Sequence, residues 1–470
     1  MISKTDELEK RSNSKSLNPM ENEKISKLLI KFAIPSVVSM VVNALYNIVD
    51  QIFIGQGVGY LGNAATNVAF PFVTITMAIS LMTANGAAAL YSLKLGSNER
   101  ESASDTIGNA VSIMIIAGIT LFLSGMMFFK PLLKIFGATE AVMPYAVEYT
   151  RIIIIGLPFV VVSTGLNALI RADGSPKYSM YSMLSGALIN IILDPLFIFV
   201  FDMGVGGAAI ATIIGQFAAM ILSLRYLGMF KNVIIKKEIF RIKKETAAKI
   251  FSFGASSFVT QMSITLVQIT INNTIRHFGS MSVYGTDIPL SVIGIVMKVN
   301  MLVTSVILGI AIGSQPIWGY NYGAQRFDRV KKTYRLSIAS ASVFSITGFL
   351  VFQIFTPQVV SIFGSESQLY NEFAVKAFRV FLSGIFVLGF QITSSIYFQA
   401  IGKPVKSAFL SLLRQVLLLA PLVVILPYLY GLDGLLYAGP IADITSAVIT
   451  VFFISYEMKK MNKMQQGKIA

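Results

Sequence analysis

The chain has 470 residues, 54% hydrophobic and only 13% charged, with a mean hydropathy of +0.70. That balance excludes an ordinary soluble domain and fits a polytopic helical membrane protein. There is no cysteine and a single histidine, His277, which excludes disulfides, thiolate metal sites and histidine metal clusters.

In chain order, residues 1–27 come first as a polar stretch holding Asp6, Glu7, Glu9, Glu21 and Glu23. It is too long and acidic for a signal n-region, and is expected to be a cytoplasmic arm ending in a short helix on the membrane surface. Twelve apolar segments follow, at 30–54, 65–92, 106–128, 141–169, 178–201, 207–229, 248–275, 288–318, 334–355, 369–397, 405–429 and 435–457. Each is long enough to cross a bilayer, for which about 20 apolar residues suffice. The expected fold is all-α, with twelve transmembrane helices. The divisions are an N-lobe at 28–229, a basic linker at 230–247, a C-lobe at 248–457 and a tail at 458–470.

The net charge of +15 is concentrated in loops on one side of this bundle. Segment 230–249 carries Lys231, Lys236, Lys237, Arg241, Lys243, Lys244 and Lys249, and segment 321–335 carries Arg326, Arg329, Lys331, Lys332 and Arg335. The C-terminal tail adds Lys459, Lys460, Lys463 and Lys468. Opposite loops are poor in Lys and Arg, except for Lys130 and Lys134. Retention of basic loops inside the cell explains this pattern better than nucleic-acid binding, and it puts both termini in the cytoplasm.

The two halves repeat. At an offset of 227 or 228, Gly86 and Gly96 fall on Gly313 and Gly323, and RADGSP (Arg171 to Pro176) falls on QAIGKP (Gln399 to Pro404). Phe136-Gly137 falls on Phe363-Gly364, and MGVGG (Met203 to Gly207) on YGLDG (Tyr430 to Gly434). In the first span the offset shortens to about 221, with Phe32 on Phe253. Six spans is an even period, so the repeats share an orientation. Two pseudo-symmetric six-helix lobes around a central cavity, with transport by rocking, are expected.

Ionisable residues inside spans are functional candidates by default. Asp194 lies in NIILDPLFIFV (Asn190 to Val200), and Asp50 in YNIVDQIFIG (Tyr46 to Gly55). Asn190 is one turn from Asp194 on the same face, and Thr212 lies two turns into span 6. At about 1.5 Å per residue, Asp50, Asp194 and Thr212 all come out roughly 7–10 Å below the outer surface. One reading is separate residues near helix ends. The other is an oxygen-only site for H+ or Na+. The repeat maps Asp194, Asn190 and Thr212 onto Leu422, Leu418 and Gly439, and Asp50 onto Ile271 or Asn272. Cation coupling is therefore assigned to the N-lobe alone. Asn43, Tyr46, Asn47, Asn167, Lys298 and Arg414 are candidates for the substrate cavity. The two basic residues are equally open to facing the other lobe or snorkelling. Pro35 and Pro195 are candidate points of helix flexing. No nucleophile–base set appears, so an enzyme is not expected.

NIVDQIFIG (Asn47 to Gly55), QPIWGYNYGA (Gln315 to Ala324) and the Leu193-Asp194-Pro195 step resemble the multidrug and toxic compound extrusion (MATE) family. The chain is most similar to its bacterial DinF/MepA-like branch, from about Lys27 to Met458. The resemblance implies an antiporter of the bacterial cytoplasmic membrane that exports amphiphilic, often cationic, small molecules in exchange for H+ or Na+. It implies a monomer among membrane lipids, without cofactor or nucleic acid. It assigns Asp50, Asn190, Asp194 and Thr212 to the N-lobe cation site. The family's other mode, with acids in spans 7 and 10, has no counterpart well inside those spans. Export of a lipid-linked or other endogenous metabolite, as in the wider superfamily, is the alternative.

Overall fold

The computed structural model describes residues 19–362 and 367–466. The first eighteen residues, Lys468 and the Phe363-Gly364 step of the repeat lie outside this description. Twelve helices are long and apolar enough to span a membrane: α1 (Ile25–Gly57), α2 (Leu61–Gly96), α3 (Arg100–Ile135), α4 (Met143–Ala172), α5 (Pro176–Val200), α6 (Gly204–Met229), α7 (Lys244–Gly279), α8 (Asp287–Gly323), α9 (Phe327–Ile354), α10 (Gln368–Ala400), α11 (Pro404–Tyr430) and α12 (Leu432–Gln465). No strand occurs among the described residues.

Most helices extend past the apolar segments. α9 starts at Phe327 rather than 334, and α12 runs to Gln465 rather than 457. Hydropathy stops at the first charges, whereas helical hydrogen bonding continues through Lys and Arg, which are good helix formers. Lys331 ties the two extensions together, bonding Asn462 at 2.7 Å and Gln465 at 2.8 Å. Most of the expected C-terminal tail is thus helix. Likewise α7 begins at Lys244, inside the expected linker.

The end of the bundle holding Gln465, the 230–243 link and the N-terminal segment is called the basic end below. The N-terminal segment does not lie flat on the surface. Its single helical turn, Pro19–Asn22, inserts Met20 (1% exposed) into a core with Tyr91, Ile170 and Tyr320. Arg326 bonds the Glu21 carbonyl at 2.7 Å and its carboxylate at 2.9 Å, while Arg329 bonds the carbonyls of Met20 and Glu23 at 3.1 and 2.9 Å. The segment therefore straps the first six helices to the α8–α9 turn. Nearby, Asp173 in the α4–α5 turn accepts from Tyr91 (2.7 Å), Tyr226 (2.9 Å) and the backbone N–H of Lys231 (2.8 Å). Burial pushes its carboxyl above the usual carboxylate range, and these donors oppose the shift.

The repeat is written into the turns and the helix crossings. Left-handed backbone recurs in register at Asn98 and Gln325 (φ 61° and 56°), Gly174 and Gly402 (91° and 75°), and Gly204 and Gly431 (55° and 59°). Such φ values strain most side chains, so these positions pin where each helix stops. The lobes meet through glycines towards the basic end. A Cβ on Gly86 would lie 2.0 Å from Ile250 O, and one on Gly254 1.8 Å from Met82 O. At the symmetry-related crossing a Cβ on Gly313 would lie 2.7 Å from Ala33 Cα, and one on Gly309 would meet Val37. Gly96 and Gly323 close the basic end, where a Cβ would lie 2.0 Å from Tyr320 O and 2.2 Å from Leu93 O, respectively. Ala33 and Gly254 differ by 221, the short offset of the first span.

Away from the basic end the same faces part. Gly313 and Gly309 sit on a stripe of α8 that continues through Met301, Lys298, Gly294 and Ser291. Met301, Lys298 and Ser291 are exposed, and open space lies beyond Gly294. The two lobes thus enclose a cleft that widens towards the end opposite the basic one.

Candidate functional site

α1, α5 and α6 bring together the four residues expected from depth. Asn190 Nδ2 donates to Asp194 Oδ1 at 3.1 Å and to Thr212 Oγ1 at 3.2 Å. The Asp50 carboxyl is close enough to the Asp194 carboxyl for the two to interact directly. Asn190 and Asp194 are 2% and 0% exposed. Tyr46, one turn before Asp50, and Tyr149 of α4 are the nearest phenols. Tyr149 had no signal in the sequence, because a tyrosine in an apolar span is commonplace.

Local geometry explains the convergence. Asn190 and Asp194 are four apart on α5 and share its α6-facing side. Pro195 does not break α5. The helix widens past it into a π-helical turn, Leu196–Val200, a feature that recurs at functional sites. Ile198 of that turn is buried against Gly57, where a Cβ would lie 2.1 Å from Ile198 Cγ2. The far end of α1 therefore rests on the π turn of α5, and Asp50 is held one to two turns away.

Three oxygens of this group, Asp50 Oδ1, Asn190 Oδ1 and Asp194 Oδ2, are buried without a hydrogen-bond partner. Orphaned acceptors are costly in a low dielectric, and two facing carboxylates repel when both are charged. A proton or a small hard cation removes both penalties, and the donor set is all oxygen, as such cations prefer. The residues present fit H+ or Na+.

The other candidates disperse. Asn47 is exposed and bonds the Asn43 carbonyl at 2.6 Å. Asn43 and Tyr46 are half-buried on the same stretch of α1. Lys298 is exposed on the cleft-facing stripe of α8 and forms no ion pair among the described residues. Asn167 is not a cavity residue: it is 2% exposed and bonds Ser163 O and Ser223 Oγ inside the first lobe. Arg414 does not line the cavity either. Its Nε donates to Asp443 Oδ1 at 2.7 Å, with both side chains largely buried. Asp443 went unremarked in the sequence, although an acid inside YAGPIADITSAV is as anomalous as Asp194. Glu457, also overlooked, is clamped by Lys403 and by Lys406, the latter at 2.9 Å. Pro35 sits between Ala33 and Val37, the residues of α1 that touch Gly313 and Gly309. Ser36 and Ser39 bond the carbonyls of Phe32 and Pro35 there, both at 2.9 Å.

Comparison with known proteins agrees with this architecture. The MatE family model matches twice, over residues 35–196 and 256–425, one match in each half. The chain is 23% identical over 435 residues to the multidrug export protein MepA of Staphylococcus aureus (strain bovine RF122 / ET3-1), covering 92% of this chain and 94% of that one. Among solved structures it superposes on one described as the outward-facing conformation of a multidrug resistance MATE family transporter of the MOP superfamily. The TM-score is 0.88 at 23% identity, over 95% of this chain and 99% of that one. A MOP superfamily transporter from Pyrococcus furiosus Vc1 (DSM3638), reported with a reversed polarity of its binding pocket, matches with the same score, identity and coverage. With both six-helix halves matched, the chain belongs to the MatE family and is a multi-pass MATE efflux transporter.

Proposed function

We propose that the chain is a secondary antiporter. It exports amphiphilic small molecules in exchange for H+ or Na+, with the ion held by Asp50, Asn190, Asp194 and Thr212. The observation that carries this reading is the cluster of three orphaned buried oxygens on two facing carboxylates and an amide. No comparable set stands at Leu422, Leu418 and Gly439 in the second half.

The loop charges support a cytoplasmic basic end, and the cleft then faces outward. An ion entering from outside neutralises the carboxylates and removes their repulsion. α1 then shifts against α5, flexing at Pro35 beside the lobe crossing and at Pro195 beside the π turn. The shift alters the cleft wall at Asn43, Tyr46 and Asn47 and releases the exported molecule. The lobes next rock about the glycine crossings, and the ion leaves to the cytoplasm. Such coupling requires that the ion and the exported molecule differ in affinity for the two α1 positions.

The test is efflux from proteoliposomes with pH and Na+ gradients imposed separately. Asp50→Asn and Asp194→Asn are expected to abolish gradient-driven efflux, and Thr212→Ala to weaken the response to Na+. Unchanged gradient-driven efflux in both carboxylate variants would refute the coupling role.

A further inference from the structure

The second lobe carries a buried ion pair that the coupling scheme does not use. Arg414 of α11 and Asp443 of α12 are joined at 2.7 Å, with side chains 14% and 8% exposed. Both sit within apolar spans. Two backbone features accommodate them. Arg414 lies on a π-helical stretch, Leu413–Leu419, and a Cβ on Gly384 of α10 would come 2.9 Å from Asp443 Oδ2.

The repeat gives this pair a place. At the offsets of their own spans, 228 for the fifth and 227 for the sixth, Arg414 falls on Gly186 and Asp443 on Gln216. Gly186 and Gly215 are where α5 and α6 cross. A Cβ on Gly215 would lie 2.5 Å from Gly186 O and 3.5 Å from Asn190 Cβ. Gly186 and Gln216 lie one turn from Asn190 and Thr212, respectively, so the ion pair stands in the second lobe one turn from the positions that answer the cation site of the first. The first lobe has carboxylates with orphaned oxygens, and the second has a carboxylate with a guanidinium already bound to it.

We propose that Arg414 is a tethered cation, a positioning residue that permanently fills in the second lobe the role an exchangeable H+ or Na+ plays in the first. A guanidinium stays charged at any working pH and cannot diffuse away. α11 and α12 are thus held in the loaded packing throughout the cycle, and only the first lobe answers to the ion gradient. Stability does not explain the pair, because apolar residues of similar volume usually serve a buried site as well or better. The inference rests on the N-lobe reading for the role it assigns to the exchangeable ion.

The test is hydrogen exchange and transport on the reconstituted full chain. Arg414→Ala leaves Asp443 bare beside a space the size of a guanidinium. Exchange in α11–α12 is expected to rise and efflux to fall about tenfold or more, as when a buried pair loses one partner. Adding millimolar guanidinium, or Na+, is expected to restore both, while Arg414→Lys retains most of the wild-type behaviour. The double variant Arg414→Leu with Asp443→Leu is expected to regain protection in α11–α12 and to show no response to either cation. The proposal is overturned if neither cation restores Arg414→Ala, or if the double variant is as unprotected as the single one. Its failure is separable from failure of the N-lobe reading. Normal coupling in Asp50→Asn and Asp194→Asn would refute that reading and leave the cation rescue at Arg414 standing.

Discussion

Adding one methyl group at the glycine crossing is expected to reverse which end of the transporter is open. In Gly86→Ala the new Cβ would start 2.0 Å from the Ile250 carbonyl oxygen, and in Gly254→Ala 1.8 Å from that of Met82. Both partners are backbone of the other lobe, so no side chain can turn aside, and α2 and α7 must separate by about 1 Å or more. Forced separation of a packed contact costs about 1–3 kcal/mol. The penalty falls only on the state closed at the basic end, and about 1.4 kcal/mol is tenfold in population. The ratio of open to closed basic ends should rise roughly 5- to 150-fold. The chain has no cysteine, which makes the assay direct. Ser257 bonds Asn85 across the lobes at 2.9 Å, and Ser257→Cys should label slowly with a polar maleimide in the parent and fast in either glycine variant. Gly294→Ala is the control, since nothing lies within 4 Å of that position. Equal labelling of parent and glycine variants, or an equal acceleration by Gly294→Ala, would refute the account of the crossing.

Three further outcomes follow from the same contacts. Arg326→Ala with Arg329→Ala removes the strap on residues 20–23, each lost bond to a charged group being worth about 1.5–3 kcal/mol; it should accelerate labelling of the Ser257→Cys reporter without changing ion selectivity. Asp173→Ala leaves the Tyr91 hydroxyl and the Lys231 N–H without their acceptor; exchange in the link at 230–236 should rise strongly, while Asp173→Asn, which keeps one carbonyl acceptor, should fall between. Lys298→Met takes a fixed positive charge off the cleft wall, and at a separation of about 4 Å a like charge near a protein surface costs up to about 4 kcal/mol. Binding of a permanent organic cation such as ethidium to purified protein should tighten, and no change would place the Lys298 ammonium away from the bound molecule.

Much of this molecule was legible in its sequence because the decisive signals are local. Apolar length gave the twelve helices, and glycine and proline register gave the repeat, down to the shorter offset that sets Ala33 on Gly254. The convergence of four polar residues was legible for a different reason. Asp50, Asp194 and Thr212 come out at one depth by residue count, and Asn190 lies one turn deeper on the face of Asp194. What could not be read was direction around each helix axis. Arg414, Asn167 and Lys298 all looked like polar residues in apolar spans, yet the first two point into their own lobe and only the third into the cleft. Helix ends also escaped, because hydropathy marks where the membrane stops and backbone hydrogen bonds do not stop there.

Small and charged residues are distributed differently at the lobe contacts and inside the lobes. Where the lobes touch, the repeat is kept almost perfectly, with Gly86 answering Gly313, Gly96 answering Gly323 and Ala33 answering Gly254. A rocking motion needs both halves to roll on equivalent surfaces, and backbone-to-backbone contact lets them do so with few side chains to rearrange. Inside the lobes the repeat is broken. The α5–α6 crossing is glycine on glycine beside two carboxylates that lack a counter-charge, while α11 and α12 carry a paired arginine and aspartate at the positions of Gly186 and Gln216. A pair of lobes that both changed packing with the ion would bind two ions per cycle and could stall with one loaded. Under the proposed coupling, a second lobe whose charge is balanced internally confines the ion-dependent step to α1, α5 and α6 and serves as the rigid surface against which they move.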